Sequence, residues 1–106
     1  MVTIKEFESL DIRVAEIMSA EPVEGANKLY KIRISLGDSE RQIVAGLRPD
    51  YAPEDLEGKK IIVIANLEPA KIRGIASDAM LLAAVDENVV SLLTVDRDVS
   101  AGSKIM

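Results

Sequence analysis

Apolar and polar positions alternate from the tenth residue onward. Leu10, Ile12 and Val14 interleave with Asp11, Arg13 and Ala15, the two-residue period of a strand with one buried face. The alternation slips at Glu16-Ile17, which predicts a bulge or bend. Residues 21–27 have the composition of a loop, with Pro22, Gly25 and Asn27 among them. The clearest alternation follows: Tyr30, Ile32, Ile34 and Leu36 on one face, Leu29, Lys31, Arg33 and Ser35 on the other. Gly37-Asp38-Ser39 supplies turn chemistry, and residues 41–45 read as the returning strand of a hairpin. Residues 60–67 are β-branched and apolar on both faces, as a central strand requires. Residues 80–85 fit a strand or a buried helical segment, and their flanks favour the strand. Residues 89–95 give one more strand, and 96–106 form a tail with turn residues.

Two short helices are expected. Thr3 and Glu6 have capping-box spacing, and Val2 with Phe7 the spacing of a hydrophobic staple. A helix over residues 4–9 is therefore predicted, as a lid on one end of the domain. Pro53, followed by Glu54, Asp55, Leu56 and Glu57 with Gly58 behind, predicts one or two helical turns. The order is three strands, a short helix, then further strands, in one domain over residues 1–106. A five-stranded all-β Greek-key barrel of the OB type has this order, with its helix between strands 3 and 4 and with N- and C-terminal extensions. Other small barrels share it, although a bent first strand favours closure.

Composition removes most catalytic chemistry. The chain has no Cys, His or Trp, hence no thiolate or imidazole to serve as nucleophile, general base or metal ligand. No acid/base pair or metal constellation is visible, so no enzyme activity and no cofactor are implied. The longest uncharged apolar run, residues 79–85, is far short of the roughly 18 residues of a membrane-spanning helix. Carboxylates stand where a signal peptide would carry its apolar stretch, so a cytoplasmic location is expected.

The net charge of −5 argues at first against a nucleic-acid partner. Its distribution changes that picture. Residues 28–73 hold nine basic and seven acidic side chains, while the remainder holds four basic and eleven acidic ones. Lys31, Arg33 and Arg41 fall on two paired strands. They form either a solvated outer face or a basic patch suited to phosphates. The motif over residues 66–74, Asn-Leu-Glu-Pro-Ala-Lys-Ile-Arg-Gly, ends a buried strand in an amide and then presents Lys71 and Arg73 on a loop. Such a loop at a barrel mouth can grip phosphate and sugar oxygens. Asn66 can equally cap the strand end by bonding backbone. Folding alone does not call for the two cations.

With that motif the chain resembles the tRNA-binding domain family, found in methionyl-tRNA synthetases and in stand-alone tRNA-binding proteins. The resemblance runs through Phe7, residues 10–14, 26–30 and 40–46, Tyr51, residues 53–56, 58–60 and 66–74, and Asp96, Val99 and Gly102. It departs from the family at Ser77-Asp78-Ala79-Met80, where relatives usually read Ser-x-Gly-Met, and at Ala45, where many have serine.

The resemblance implies an OB barrel that binds the bent elbow of tRNA without catalysis. Lys28, Lys31, Arg41, Asn66, Lys71, Arg73, Ser77 and Met80 would line that surface. It also implies a homodimer through the N- and C-terminal segments and an auxiliary role in trans beside methionyl-tRNA synthetase. Two alternatives come with it: an export chaperone of the CsaA kind, binding unfolded preproteins, and a dimerisation or recruitment module for a synthetase. Tyr30 is expected to face inward and Phe7 to act as a staple, so few rings remain for base stacking. Recognition of backbone and shape in a folded RNA fits better.

Overall fold

The alternation from Ile12 becomes a single long strand, β1 (Ile12–Pro22), that serves two walls of a barrel. All 106 residues are described in a computed structural model. Residues 12–16 of β1 pair antiparallel with β4 (Lys60–Ile64), and residues 16–22 pair with β2 (Tyr30–Ser35). Between them the register shifts across Ile17 and Ser19, leaving Met18 half-exposed, and the strand turns its corner there. The bulge lies one residue beyond the slip in the alternation.

β2 continues into β3 (Glu40–Ala45) as a hairpin whose last pair is Ser35 with Glu40. α1 (Ile4–Glu8) precedes β1, and α2 (Pro53–Leu56) separates β3 from β4. β5 (Ala70–Ile72) and β6 (Ile75–Ser77) pair with each other outside the main sheet. Next come β7 (Met80–Leu81), β8 (Ala83–Asp86) and β9 (Val89–Leu92). The main sheet has the order β3-β2-β1-β4-β7 and curls into a nearly closed five-stranded antiparallel barrel. Its helix lies between strands 3 and 4, as expected for an OB barrel.

The two-faced strand has a direct explanation. Ile61 and Val63 face the barrel interior with Ile17, Ile32, Ile34, Ile43 and Leu56. Ile62 faces outward but joins Ile12 and Val14 in a second apolar cluster, covered by Ile64, Leu82, Val95 and Ile105. Each fully buried Ile or Leu contributes about 1.5–3 kcal/mol relative to exposure. Tyr30 also faces inward, and its hydroxyl donates to the Tyr51 carbonyl at 2.7 Å.

Several boundaries differ from the sequence expectation. The strand over 60–67 stops at Ile64: the Ala65 amide still bonds the Asp11 carbonyl at 2.7 Å, but the Asp11 amide goes to Asn66 Oδ1 and the Ala65 carbonyl to Arg41. The apolar stretch from Met80 is strand, but it divides at Leu82. The Leu82 amide still donates to the Ile62 carbonyl at 2.9 Å, after which β8 leaves the barrel to pair with β9. α1 forms with both capping-box bonds in place, yet buries none of its residues, so it is not a lid on the core. Its termini are satisfied locally, and that is sufficient for one and a half turns.

The C-terminal tail is strapped to the barrel. β2 leaves one edge of residues 12–14 vacant, and the tail fills it. Ser103 and Val14, Val14 and Gly102, and Ile12 and Ile105 are joined by backbone hydrogen bonds of 2.7–2.9 Å. Gly102 sits at φ +92°, and a Cβ there would lie 2.2 Å from the Leu36 carbonyl oxygen. Gly58 has a similar φ of +83° in open space. Gly102→Ala is therefore expected to cost about 2–4 kcal/mol, against about 1 kcal/mol for Gly58→Ala. Thermal unfolding of the two variants checks this: Gly102→Ala has the lower midpoint by several degrees.

Candidate nucleic-acid interface

Residues 70–77 read as a loop in the sequence but fold as a β-hairpin, β5–β6. Ala70 pairs with Ser77, Lys71 with Ala76, and Ile72 with Ile75. Arg73 (φ 54°) and Gly74 (φ 77°) form its two-residue turn. Two successive positive φ values suit a hairpin turn of the primed type, where Asn-Gly is the preferred pair. An arginine in the left-handed region costs roughly 1 kcal/mol. Ile72 and Ile75 pack on the cluster of Val23, Ala26 and Val44, which fixes that face of the hairpin to the barrel. Lys71 falls on the opposite, exposed face, and Arg73 stands at the tip.

Where β3 faces the hairpin base there is no continuous backbone ladder, and side chains close the gap. The Asp78 amide donates to the Gln42 carbonyl at 2.9 Å, and the Gln42 side-chain amide donates to the Ala76 carbonyl at 3.0 Å. Ser77, which is buried, accepts from the Val44 amide at 3.1 Å and donates to the Ala79 carbonyl at 3.3 Å. Arg41 donates through Nη1 to the Ala65 carbonyl at 2.7 Å, with the Asp78 carbonyl at 3.4 Å. Asn66 is held at both ends: its Oδ1 accepts from the Asp11 amide and its Nδ2 donates to the Ser9 carbonyl, each at 2.8 Å. Asn66 and Ser77 thus spend their polar groups, and Arg41 its Nη1, on this chain's own backbone.

The remaining cations differ in how they are held. Lys31 meets Glu21 at 2.8 Å and Arg33 meets Glu40 at 3.0 Å, both pairs at the surface. Such pairs contribute at most about 1 kcal/mol, and a phosphate can compete for either cation. Ion pairs within 4 Å involve Arg13, Lys31, Arg33 and Lys60, and none involves Lys28, Lys71 or Arg73, which are exposed. Arg48 stacks 6.0 Å from the Tyr30 ring centroid and donates to the Ala26 carbonyl at 3.1 Å. Its amide also bonds the Lys28 carbonyl at 3.2 Å, fixing the backbone that carries Lys28. Away from the hairpin, Arg13 donates to Asp11 at 2.9 Å and holds that carboxyl below its usual range. Stability from Asp11 is therefore present above its unfolded pKa and lost only as pH falls through the lower folded value.

Beside the hairpin runs an apolar groove of about 280 Å³. Val44, Ala45, Leu67, Ala70, Ile72, Ala79, Met80 and Leu81 line it, with Glu68 and Ser77 as its polar residues. Met80 is 48% exposed and Leu67 38% exposed, and both form part of the groove wall. The sequence reasoning passed over Leu67 and the hairpin itself. The signal for the hairpin was a residue-plus-glycine turn between Ala70-Lys71-Ile72 and Ile75-Ala76-Ser77.

Lys71, Arg73, Ser77 and Met80 are thus gathered around one hairpin and its groove. Lys28 lies on the loop beside Gly46, where β3 ends. Lys31 sits farther along the outer face of β2. Asn66 and Arg41 sit at the junction from which the hairpin departs.

The sequence profile described as "Putative tRNA binding domain" matches residues 12–104. The chain is 52% identical over 104 residues to a methionine–tRNA ligase of Caldanaerobacter subterraneus subsp. tengcongensis, covering 98% of this chain and 16% of that protein. Among solved structures it is similar to a MetRS related protein from Pyrococcus horikoshii, with TM-score 0.94 and 34% identity over 100% of this chain and 98% of the other. A chaperone CsaA from Bacillus anthracis str. Ames is comparably close in shape, with TM-score 0.92 and 29% identity over 100% and 99% of the two chains.

Removing the Ser77 hydroxyl leaves the Val44 amide without its partner in a buried place. Ser77→Ala is expected to lose about 1–3 kcal/mol. Denaturant unfolding measures the loss, and faster amide exchange at Val44 identifies its source.

Proposed function

The chain belongs to the tRNA-binding domain family, and from that premise we propose that it binds folded tRNA without catalysis, through the β5–β6 hairpin. The observation that carries this reading is the pair Lys71 and Arg73: both exposed and without a carboxylate partner, with Arg73 set at a strained turn position that folding would fill better with Asn. Lys28 extends the cationic surface past the end of β3. Lys31 and Arg33 add to it by exchanging their carboxylates for phosphates. Met80 and Leu67 offer apolar contact to a ribose or base edge. Arg41, Asn66 and Ser77 act from behind, by holding the hairpin and the strand ends.

The role we infer is auxiliary: a module acting in trans beside a methionine–tRNA ligase in the cytoplasm, on the outer corner of the tRNA. With only a few cations on an acidic body, each RNA meets few favourable contacts, and pairing two chains doubles them. The terminal segments suit that pairing. Ile4, Phe7, Leu10, Ile105 and Met106 line an apolar depression between α1 and the tail, and Phe7 and Leu10 are more than a third exposed. Excluding water from that surface is the driving force for a homodimer.

One observation favours a second reading. The groove is lined almost entirely by apolar residues, including the flexible Met80, and such a surface accepts apolar side chains of an unfolded protein. That reading follows the likeness to the chaperone CsaA.

Titration with folded tRNA and with single-stranded DNA of equal length, over a range of salt, tests the proposal. Wild-type binding is expected to prefer tRNA and to weaken steeply with salt. Lys71→Glu/Arg73→Glu removes it, whereas Arg97→Glu, at an exposed position away from the hairpin, leaves it within about twofold. Equal and feeble binding of both polymers contradicts the proposal, and binding of unfolded preproteins in its place establishes the second reading. With no His in the chain, affinity is expected to stay flat between about pH 6 and 8.

A further inference from the structure

Arg41 occupies an unusual place for a cation offered to a ligand. It pairs across β2–β3 with Ile34, and cross-strand partners share a face, so it lies on the barrel's inward side with Ile43 and Ile34. It has no carboxylate within 4 Å. Its Nη1 instead reaches two backbone carbonyls, Ala65 at 2.7 Å and Asp78 at 3.4 Å. These two carbonyls bracket the hairpin excursion. Ala65 stands where the chain leaves the barrel after β4, and Asp78 directly follows Ser77, the last residue of β6. A single guanidinium nitrogen therefore ties the departing and returning strands together.

We propose that Arg41 is a positioning residue for RNA binding: it clasps the two ends of the β5–β6 excursion and so sets the orientation of Lys71 and Arg73, without itself meeting a phosphate. This rests on the reading of the hairpin as the RNA-contacting element. The geometry supports it from both sides. Its Nη1 is committed to two carbonyls in a half-buried setting, and turning the guanidinium outward to a phosphate would strand both acceptors. The other ties at the hairpin base, from Gln42 to Ala76 and from Val44 to Ser77, all join β3 to the returning strand. Arg41 is the side chain that also reaches the departing one.

Salt dependence separates positioning from contact, because each lost phosphate contact lowers the slope of log affinity against log salt by about one. The comparison uses the full chain, as wild type, Arg41→Gln, Arg41→Lys, Lys71→Gln and Arg73→Gln, with amide exchange of residues 70–77 measured alongside. Arg41→Gln is expected to weaken tRNA binding about tenfold, equal to about 1.4 kcal/mol, with the slope unchanged. Its hairpin amides exchange faster even without RNA. Arg73→Gln lowers the slope by about one and leaves hairpin exchange near wild type. Arg41→Lys, which retains a donor, is expected to recover part of both affinity and protection, and it serves as the test if the Gln variant does not fold. A slope that falls in Arg41→Gln as it does in Arg73→Gln overturns the proposal in favour of direct contact. Unchanged affinity in a folded Arg41→Gln overturns it in favour of a purely local role. Wild-type binding that ignores both Lys71→Gln and Arg73→Gln contradicts the hairpin reading itself, whatever the exchange data give.

Discussion

A barrel of five short strands must close on itself, and here the closing edge lacks a backbone ladder. β3 and the segment after β6 approach each other, but β7 has only two residues, so carbonyls and amides on both sides need other partners. Side chains supply them. Ser77 satisfies the Val44 amide, Gln42 reaches the Ala76 carbonyl, and Arg41 takes those of Ala65 and Asp78. No buried side-chain nitrogen or oxygen is left without a partner. The same residues form the root of the β5–β6 hairpin, so closing the barrel and aiming the hairpin are one physical event.

That arrangement divides the polar side chains into two groups. Those at the seam are consumed by the chain's own backbone, and moving them exposes unpaired acceptors. Those beyond it, Lys71 and Arg73, are tied to nothing. Arg73 occupies a backbone conformation that costs free energy, offset by the packing of Ile72 and Ile75 against the barrel. The acidic remainder of the chain matters here as well. It confines favourable potential for a polyanion to a small region, which disfavours docking elsewhere on the surface.

Much of this was legible in the sequence where the signal is local. The Thr3–Glu6 spacing marks a capping box that forms, the alternation from Tyr30 marks β2, and the two-faced apolar run marks the central strand β4. The slip near Ile17 marks the corner of β1. What was not legible depends on distance along the chain. Asn66 bonds residues more than fifty positions away, and Arg41 bonds carbonyls 24 and 37 positions away, so no window of sequence displays either role. The β5–β6 hairpin escaped because three-residue strands are too short for an alternation and Arg-Gly is not the customary turn pair. Leu67 escaped because the end of an apolar run looks the same whether it faces the core or a groove.

The central claim is that the hairpin tip is shaped for a ligand at the expense of the fold. Arg73→Asn tests it directly, since Asn suits the turn and carries no charge. Thermal unfolding and tRNA titration of this one variant should move in opposite directions: a midpoint raised by a few degrees, with affinity lowered about tenfold. A variant that binds tRNA as well as the wild type would contradict the account.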